Sequence, residues 1–121
     1  MRIILADDQV EVRSALRIVL EHESGFSVVG EAAEMSGLLI QAKESKPDVV
    51  LLDWELAQLR ISDLLPVLKH LCPGLKVVAL SGRPEASKVA LAAGADAFVS
   101  KGDQPERLLN TLRGMKEKIS S

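Results

Sequence analysis

The chain has 121 residues, a length typical of a single domain, and 47% of them are hydrophobic, which is enough to form a substantial core. Aromatic residues make up only 2%, so Leu, Val, Ile and Ala must supply most of that core. The formal net charge of −2 gives no electrostatic basis for binding nucleic acid directly, and a single cysteine excludes an internal disulfide framework. The apolar run before the first aspartates is too short for a signal peptide or a membrane span, so we expect a cytoplasmic domain without membrane contact.

Five short apolar segments, each bounded by Gly, Pro, Asp or Ser, have the composition of buried β-strands. In chain order they are 2–6, 26–30, 48–52, 76–80 and 95–99. Between and after them, apolar residues recur at the spacing of a helix face. The residues on the five faces are Val12, Ala15, Leu16, Val19 and Leu20; Leu38, Leu39 and Ala42; Leu64, Leu65 and Leu68; Val89, Ala90 and Ala93; and Leu108, Leu109, Leu112 and Met115.

The predicted helix ends depend on capping residues and prolines. Residues 8–11 and 103–106 resemble capping boxes in which Asp takes the N-cap position, and Pro105 fits the first turn of the fifth helix. The fourth helix is expected to begin at Pro84. Pro66 is unfavourable in a helix beyond the first turn, so the third helix is predicted to be short or kinked.

Five strands alternating with five helices predict an α/β fold with a parallel, doubly wound sheet. In such sheets ligands bind beyond the carboxyl ends of the strands. The residues that follow the predicted strands are Asp7 and Asp8 after the first, Asp53 after the third, Ser81 after the fourth and Lys101 after the fifth. We therefore expect these side chains to lie close together at one edge of the sheet.

Each of these residues alone has an ordinary explanation as a cap, a turn residue or an exposed lysine. Together they indicate a site, because three carboxylates at one edge raise each other's pKa unless a cation neutralises them. Oxygen ligands without Cys or His suit Mg²⁺. A lysine and a hydroxyl beside them can contact phosphoryl oxygens, and a carboxylate between metal and lysine can act as a nucleophile.

The motifs of the chain resemble those of bacterial response-regulator receiver domains over essentially its whole length. They are ILADDQ (4–9), PDVVLLDWEL (47–56), VVALSGR (77–83) and GADAFVSK (94–101). LLDWEL and SKGDQPERLL (100–109) are most similar to receivers attached to LuxR-type helix-turn-helix output domains. The resemblance implies a flavodoxin-like sheet of order 2-1-3-4-5 in one receiver domain over residues 1–121, with any output domain outside this chain.

The resemblance also implies a role for individual residues. Asp53 matches the phosphoacceptor, and Asp7, Asp8, Asp53 and the backbone carbonyl of Glu55 match the ligands of Mg²⁺. Ser81 matches the switch hydroxyl and Lys101 the lysine that contacts the phosphoryl group. Phe98 matches the switch aromatic, although core packing explains it equally well.

The implied activity is a phosphorelay switch, not a turnover enzyme. A sensor histidine kinase is the implied partner, and phosphorylation would change the surface of helix 4, strand 5 and helix 5, with a homodimer as a possible activated form. DNA would be bound only through an output domain. Because the first helix starts beside the acidic pair, Gln9, Glu11, Val12 and Ala15 are the predicted kinase-specificity positions.

Two segments depart from the common receiver pattern. Leu56-Ala57 and Ile61 stand where many receivers have Met-Pro and then Gly, so the conformation of that loop is not predicted. Lys101 is followed by Gly102 instead of proline, and we expect a trans peptide bond there because a cis bond before a residue other than proline is costly.

Three other functions would each explain part of the sequence. Glu31 after the second strand resembles a ribose ligand of a dinucleotide-binding domain, but the first turn lacks G-x-G-x-x-G and its two aspartates would repel a pyrophosphate. A phosphatase with an aspartate nucleophile would need Asp-x-Asp after a strand and a cap domain, and this sequence contains neither. A receiver that is never phosphorylated and only binds partners is the remaining alternative.

Overall fold

The computed structural model describes residues 1–56 and 61–120. The strands are β1 (Arg2–Ala6), β2 (Ser27–Ala32), β3 (Val49–Asp53), β4 (Lys76–Ser81) and β5 (Ala97–Ser100). The helices are α1 (Val10–Glu21), α2 (Met35–Ser45), α3 (Ile61–Leu71), α4 (Ser87–Ala92, preceded by a 3₁₀ turn at Pro84–Ala86) and α5 (Pro105–Ser120). The predicted alternation of strands and helices is confirmed, and the strand ends differ from the predicted ones by at most two residues.

All strands of the sheet are parallel, in the order β2-β1-β3-β4-β5, as the resemblance implied. Every residue of the central strand β3 is buried. Such a strand reads as a continuous apolar run because helices cover both of its faces. Each fully buried Val, Leu or Ile of this layer contributes about 1.5–3 kcal/mol of transfer free energy.

The side chains of the strands alternate between two apolar clusters. Ile3 and Leu5 pack with Leu20 of α1 and Leu112 of α5 on one face of the sheet. On the other face, residues of β1, β3 and β4 pack against α2, α3 and α4. Cys72 belongs to this second cluster, where its buried thiol donates to the carbonyl of Ala42 at 2.9 Å, so the single cysteine is a core residue.

An irregularity in β2 determines which way its last residues face. Ile3 pairs with Val28 but Ile4 pairs with Gly30, so one extra residue of β2 lies between these pairs. Beyond it, Glu31 is the partner of Leu5. Since directly opposed residues of neighbouring strands share a face, Glu31 lies on the face covered by α1.

The helix ends differ in detail from the predicted ones. The N-cap of α1 is Gln9, which makes no side-chain capping bond, so the capping box with Asp8 in the N-cap position is wrong. The physical reason is that the carboxylate of Asp7 accepts from the N–H of Gln9 at 2.9 Å, in a turn that precedes the helix. Asp103 likewise precedes α5 by two residues, and its carboxylate accepts from the N–H of Ser100 at 3.2 Å.

Three prolines occupy different positions in their helices. Pro105 is the first residue of α5, as predicted, and Pro84 begins the 3₁₀ turn before α4. Pro66 lies inside the 11 residues of α3, beyond its first turn, so the helix forgoes one internal hydrogen bond there. Among the described residues no peptide bond is cis, which confirms the trans bond between Lys101 and Gly102. No helix in the described ranges is long and apolar enough to cross a membrane.

Candidate functional site

Three carboxylates meet at the carboxyl edge of the sheet. One oxygen each of Asp7, Asp8 and Asp53 can be chosen so that all lie within 4.8 Å of one another. Asp7 and Asp53 are 2% and 3% exposed, whereas Asp8 is open to solvent. The meeting follows from topology, since β1 and β3 are parallel neighbours and the aspartates stand where these strands end.

Lys101 brings a positive charge into this group of acids. Its ammonium lies 2.9 Å from Oδ2 of Asp7 and 3.3 Å from Oδ1 of Asp53, and its side chain is 25% exposed. Burial by itself would lower the pKa of Lys101, but the two carboxylates outweigh it and the pKa lies above its usual value. The lysine therefore stays charged and holds the two buried acids together.

Asp53 is the acid with the most altered ionisation. Burial raises its pKa to about 6, with further raising by the neighbouring Glu55 side chain and by the charge of Asp7. The N–H of Glu55, which donates to Oδ1 at 3.1 Å, and the charge of Lys101 act in the opposite direction. A carboxylate that is poorly hydrated and still largely ionised at neutral pH has the properties of a nucleophile.

Ser81 reaches the same edge from β4, but its side chain forms no hydrogen bond with any of the three aspartates. Its buried hydroxyl donates to Oε1 of Glu55 at 2.5 Å and accepts from the N–H of Arg83 at 3.0 Å. The guanidinium of Arg83 donates to the same oxygen of Glu55 at 3.2 Å. Burial opposes the ionisation of Glu55, but these hydrogen bonds hold its pKa below the usual value.

The hydrogen bond between the side chains of Glu55 and Ser81 was not predicted. The resemblance to receiver domains implied a role only for the backbone carbonyl of Glu55. No sequence signal pairs residue 55 with residues 81 and 83. The pairing arises because Asp53 is in register with Leu80, and the N–H of Trp54 donates to the carbonyl of Leu80 at 2.7 Å. The chain after β3 is thereby carried toward the end of β4.

The two cations that contact Glu31 were also not predicted from the sequence. Arg13 and Arg17 of α1 both donate to the carboxylate of Glu31, at 2.9 Å and 2.6 Å for their shortest contacts. The two arginines are four residues apart and share one face of the helix, which is the only sequence signal for this pairing. An acid held by two arginines is not available as a ribose ligand, which removes the observation that favoured a dinucleotide-binding domain.

Two aromatic side chains bear on the predicted site. Phe98 is partly buried and packs against the cluster formed with α2, α3 and α4. Trp54 is 8% exposed and adjoins Asp53 in the chain. The departure at Ala57 lies outside the described residues.

The donor set of the acid group fits a hard divalent cation. It consists of carboxylate oxygens only, without Cys or His, and Mg²⁺ prefers such ligands and keeps part of its water shell. Two of the three acids are nearly buried, where mutual repulsion is strongest and a cation is most favourable.

The comparison of sequences identifies the family to which this fold and this edge of the sheet belong. Residues 3–113 match the model of the response regulator receiver domain, and the chain belongs to that family. Receiver domains are regulatory switches of two-component systems that work with histidine kinases.

Curated relatives include transcriptional regulators and a chemotaxis protein. The transcriptional regulatory protein YxjL of Bacillus subtilis is 30% identical over 93% of this chain and 53% of its own length. The transcription regulator BvgA of Bordetella pertussis is 31% identical over 94% of this chain and 55% of its own length. The chemotaxis protein CheY of Thermotoga maritima is 28% identical over 92% of this chain and 93% of its own length. The chain spans about half the length of the transcriptional regulators.

Solved structures show the same architecture. A CheY-like receiver domain protein from Methanospirillum hungatei superposes with a TM-score of 0.81 at 27% identity, covering 98% of this chain and 96% of that one. A LuxR-family response regulator from Aurantimonas sp. superposes with a TM-score of 0.84 at 25% identity, covering 94% of this chain and 83% of that one. The predicted fold and the resemblance to receivers of LuxR-type regulators are confirmed.

Proposed function

We propose that Asp53 accepts a phosphoryl group from the phosphohistidine of a sensor histidine kinase and that the resulting acyl phosphate switches the domain. The observation that carries this proposal is the contact of one ammonium, that of Lys101, with both Asp7 and Asp53 inside the acid group. A purely structural ion pair needs one acid. Two buried acids sharing one lysine leave negative charge that a site for a metal and a phosphoryl group would use.

Asp7, Asp8, Asp53 and the backbone carbonyl of Glu55 would hold Mg²⁺. The bound ion would offset negative charge on the phosphoryl oxygens and on the carboxylates during transfer. All of these groups lie on β1, β3 or the residues directly after them, so the strands themselves set their spacing.

In the transfer step a carboxylate oxygen of Asp53 attacks phosphorus in line with the leaving histidine nitrogen. A new oxygen–phosphorus bond forms as the nitrogen–phosphorus bond breaks, and the imidazole keeps the electron pair. Lys101, which is already beside Asp53, is in place to contact a phosphoryl oxygen with a charge-assisted hydrogen bond. Hydrolysis of the acyl phosphate would return the carboxylate, so the domain is a switch with a lifetime and not a turnover enzyme.

The switch would be read out on the surface of α4, β5 and α5. Ser81 would turn toward the phosphoryl group, and Phe98 would move into space behind it. The output is proposed to be transcription, through a DNA-binding domain outside residues 1–121, with a homodimer as the activated form and a cytoplasmic location. The names of YxjL and BvgA support the transcriptional role.

The test is phosphorylation by acetyl phosphate with Mg²⁺, followed by the mass of the intact protein. The wild type should gain one phosphoryl group, and Asp53→Asn should gain none. Asp63→Asn, which changes an exposed aspartate of α3, is the matched control and should behave as the wild type. If the wild type gains no phosphoryl group, from acetyl phosphate or from any histidine kinase of the same cell, the partner-binding alternative is correct. If Asp53→Asn is labelled as the wild type is, the site is elsewhere.

A further inference from the structure

Arg13 connects α1 to the end of β1, where the acid pair begins. Its Nη1 donates to the backbone carbonyl of Asp7 at 2.6 Å, and its Nε donates to Oε1 of Glu31 at 2.9 Å. The side chain is only 15% exposed. A guanidinium can make both bonds at once because its donors lie in a rigid plane.

The bond to the Asp7 carbonyl completes the restraint of that residue. The N–H of Asp7 donates to the carbonyl of Ala32 at 3.0 Å, and its two carboxylate oxygens accept from the N–H of Gln9 and from Lys101, each at 2.9 Å. The carbonyl belongs to the planar peptide group that also carries the N–H of Asp8. Holding this oxygen therefore fixes the plane of the Asp7–Asp8 peptide, and so the direction in which the exposed Asp8 leaves the strand.

The charge of Arg13 is largely offset, so the residue does not simply add a cation that would compete with a metal. Glu31 accepts from Arg13 through one oxygen and from Arg17 through the other, and Arg17 also pairs with Glu21 at 2.7 Å. These two arginines and two glutamates sum to zero charge. The extra residue in β2 is what places Glu31 on the α1 face, within reach of both arginines.

We infer that Arg13 is a positioning residue for the metal site, which sets the orientation of the Asp7–Asp8 peptide and thereby the affinity of the acid group for Mg²⁺. The inference rests on the proposed function, because it takes Asp7 and Asp8 to be metal ligands. Outer groups that orient ligands typically change metal affinity about 10–100-fold when they are removed.

Arg17 offers a matched control. It shares the carboxylate of Glu31 with Arg13, but its guanidinium donates to Glu31 and Glu21 and not to Asp7. Arg13→Ala removes the bond to Asp7 and leaves Glu31 paired with Arg17. Arg17→Ala removes the same charge from the same helix face and leaves the bond to Asp7 in place.

The experiment is a Mg²⁺ titration of the whole chain at constant ionic strength, followed by the fluorescence of Trp54. Arg13→Ala should raise the dissociation constant about 10–100-fold, and Arg17→Ala should change it less than about threefold. Arg13→Lys keeps the charge, but its three donors are on one nitrogen and cannot reach the Asp7 carbonyl and Glu31 as a planar guanidinium does, so its constant should lie between those of the wild type and Arg13→Ala. In metal-free protein, the amide resonance of Asp8 should shift in Arg13→Ala and stay in place in Arg17→Ala.

The outcomes separate this inference from the proposed function. If Arg13→Ala binds Mg²⁺ as the wild type does, or if Arg17→Ala weakens binding equally, Arg13 does not position the site. Asp8→Ala would still lose binding in that case, and the metal site would stand. If the wild type itself does not respond to Mg²⁺, the proposed metal site fails. Should Arg13→Ala not fold, Arg13→Lys decides, since wild-type affinity and an unshifted Asp8 amide in that variant would overturn the inference.

Discussion

The hydroxyl of Ser81 donates to the carboxylate of Glu55 at 2.5 Å, and the guanidinium of Arg83 donates to the same oxygen at 3.2 Å. Ser81 is completely buried, so its hydroxyl cannot exchange this hydrogen bond for one to solvent. A Ser81 that turns toward a phosphoryl group on Asp53 must give up a hydrogen bond to a charged group, which is worth about 1.5–3 kcal/mol. In the proposed switch, Glu55 would therefore oppose the movement of Ser81 until a phosphoryl group offered a comparable acceptor.

Ser81→Ala should leave phosphorylation of Asp53 largely intact and uncouple it from the distal surface. Removing the hydroxyl removes the group that, in the proposed switch, would link the phosphoryl oxygens to the end of β4, and the coupling expected to be lost is of typical allosteric size, about 1–3 kcal/mol. The measurement is an amide spectrum with and without beryllium fluoride as a mimic of the phosphoryl group. In the wild type the shifts should reach Val89, Phe98 and Leu108, and in Ser81→Ala they should stay near Asp53.

A second disrupting variant and a matched control complete that test. Lys101→Ala should lose the distal shifts at least as completely, because a charge-assisted contact is roughly twice as strong as a neutral one. Ser100→Ala removes a hydroxyl from the end of the neighbouring strand β5, where it accepts from the N–H of Gly102 at 3.3 Å, and should respond as the wild type does. Distal shifts that survive in Ser81→Ala and Lys101→Ala alike would show that the signal does not pass through β4 and β5.

In metal-free protein, Asp53→Asn should be more stable than the wild type at pH 7. Burial is the main cause that raises the pKa of Asp53 from 3.8 to about 6 in the folded state. Protonation of Asp53 therefore favours folding, and that contribution is complete below about pH 4 and is lost as the pH rises through 6. At pH 7 the ionised wild type should be less stable by about 1–3 kcal/mol, since one pKa unit corresponds to about 1.4 kcal/mol.

The measurement is urea unfolding with a chelator present, between pH 4 and pH 7. The stability difference between Asp53→Asn and the wild type should shrink steadily as the pH falls through this range. Asp63→Asn on the exposed surface should show no such trend. A difference that grows toward acid pH would mean that the folded state prefers ionised Asp53, contrary to its burial.

Asp8→Ala should weaken Mg²⁺ binding by more than about tenfold, because even the loss of a group behind a metal ligand has an effect of that size. It should not lower the thermal stability of metal-free protein. The N-cap of α1 is Gln9, so no capping bond is lost, and one of three neighbouring negative charges is removed. Titration through Trp54 fluorescence and a melting curve in chelator check the two statements.

Asp103→Ala is the matched control for this variant, because Asp103 is an exposed aspartate that follows β5 and lies outside the acid group. It should bind Mg²⁺ with wild-type affinity. An Asp8→Ala protein that binds Mg²⁺ as tightly as the wild type would exclude Asp8 as a ligand.

Most of the fold could be predicted because its pattern is local. Continuous apolar runs and helical spacing mark the strands and helices, and alternation implies parallel pairing. Where the prediction was wrong, hydrogen bonding that the residue pattern does not specify decided the outcome. Asp8 is not the N-cap because Asp7 accepts a hydrogen bond from the N–H of Gln9, and β2 continues to Ala32 because that residue still pairs with Ala6 of β1 after the register shift.

The candidate site likewise has a part that the sequence predicts and a part that it does not. The sequence predicts that four charged side chains lie close together, because each stands at or just after the end of a strand and these strands end at one edge of the sheet. They are Asp7, Asp8, Asp53 and Lys101. The contacts of Glu55 and Arg13 could not be predicted, because they join residues 26 and 18 positions apart through side chains whose directions depend on register. Side chains such as these, which orient other residues of the site, are positioned by tertiary packing, and no sequence pattern specifies them.

The choice of kinase should be determined mainly by the exposed start of α1. Glu11, Val12 and Ala15 form one wall of an apolar groove of about 380 Å³ that Lys101 also lines, so we expect a phosphohistidine helix that reaches Asp53 to pass over them. Exchanging these residues and Gln9 for those of a receiver served by another kinase should change the ratio of the two transfer rates by at least about tenfold, or about 1.4 kcal/mol of binding. The opposite wall contains Gln104 of the loop before α5.

Transfer rates from both kinases to both sets of variants decide between the walls. Ile40 of α2 is 58% exposed and lies on the other face of the sheet from α1, so Ile40→Ala should leave the ratio unchanged. Exchange of Gln104 together with the exposed residues of α5 should change the ratio less than exchange in α1, because α1 begins two residues after Asp8 while α5 begins four residues after Lys101. A ratio that follows the α5 exchange and ignores the α1 exchange would place kinase recognition on the opposite wall of the groove.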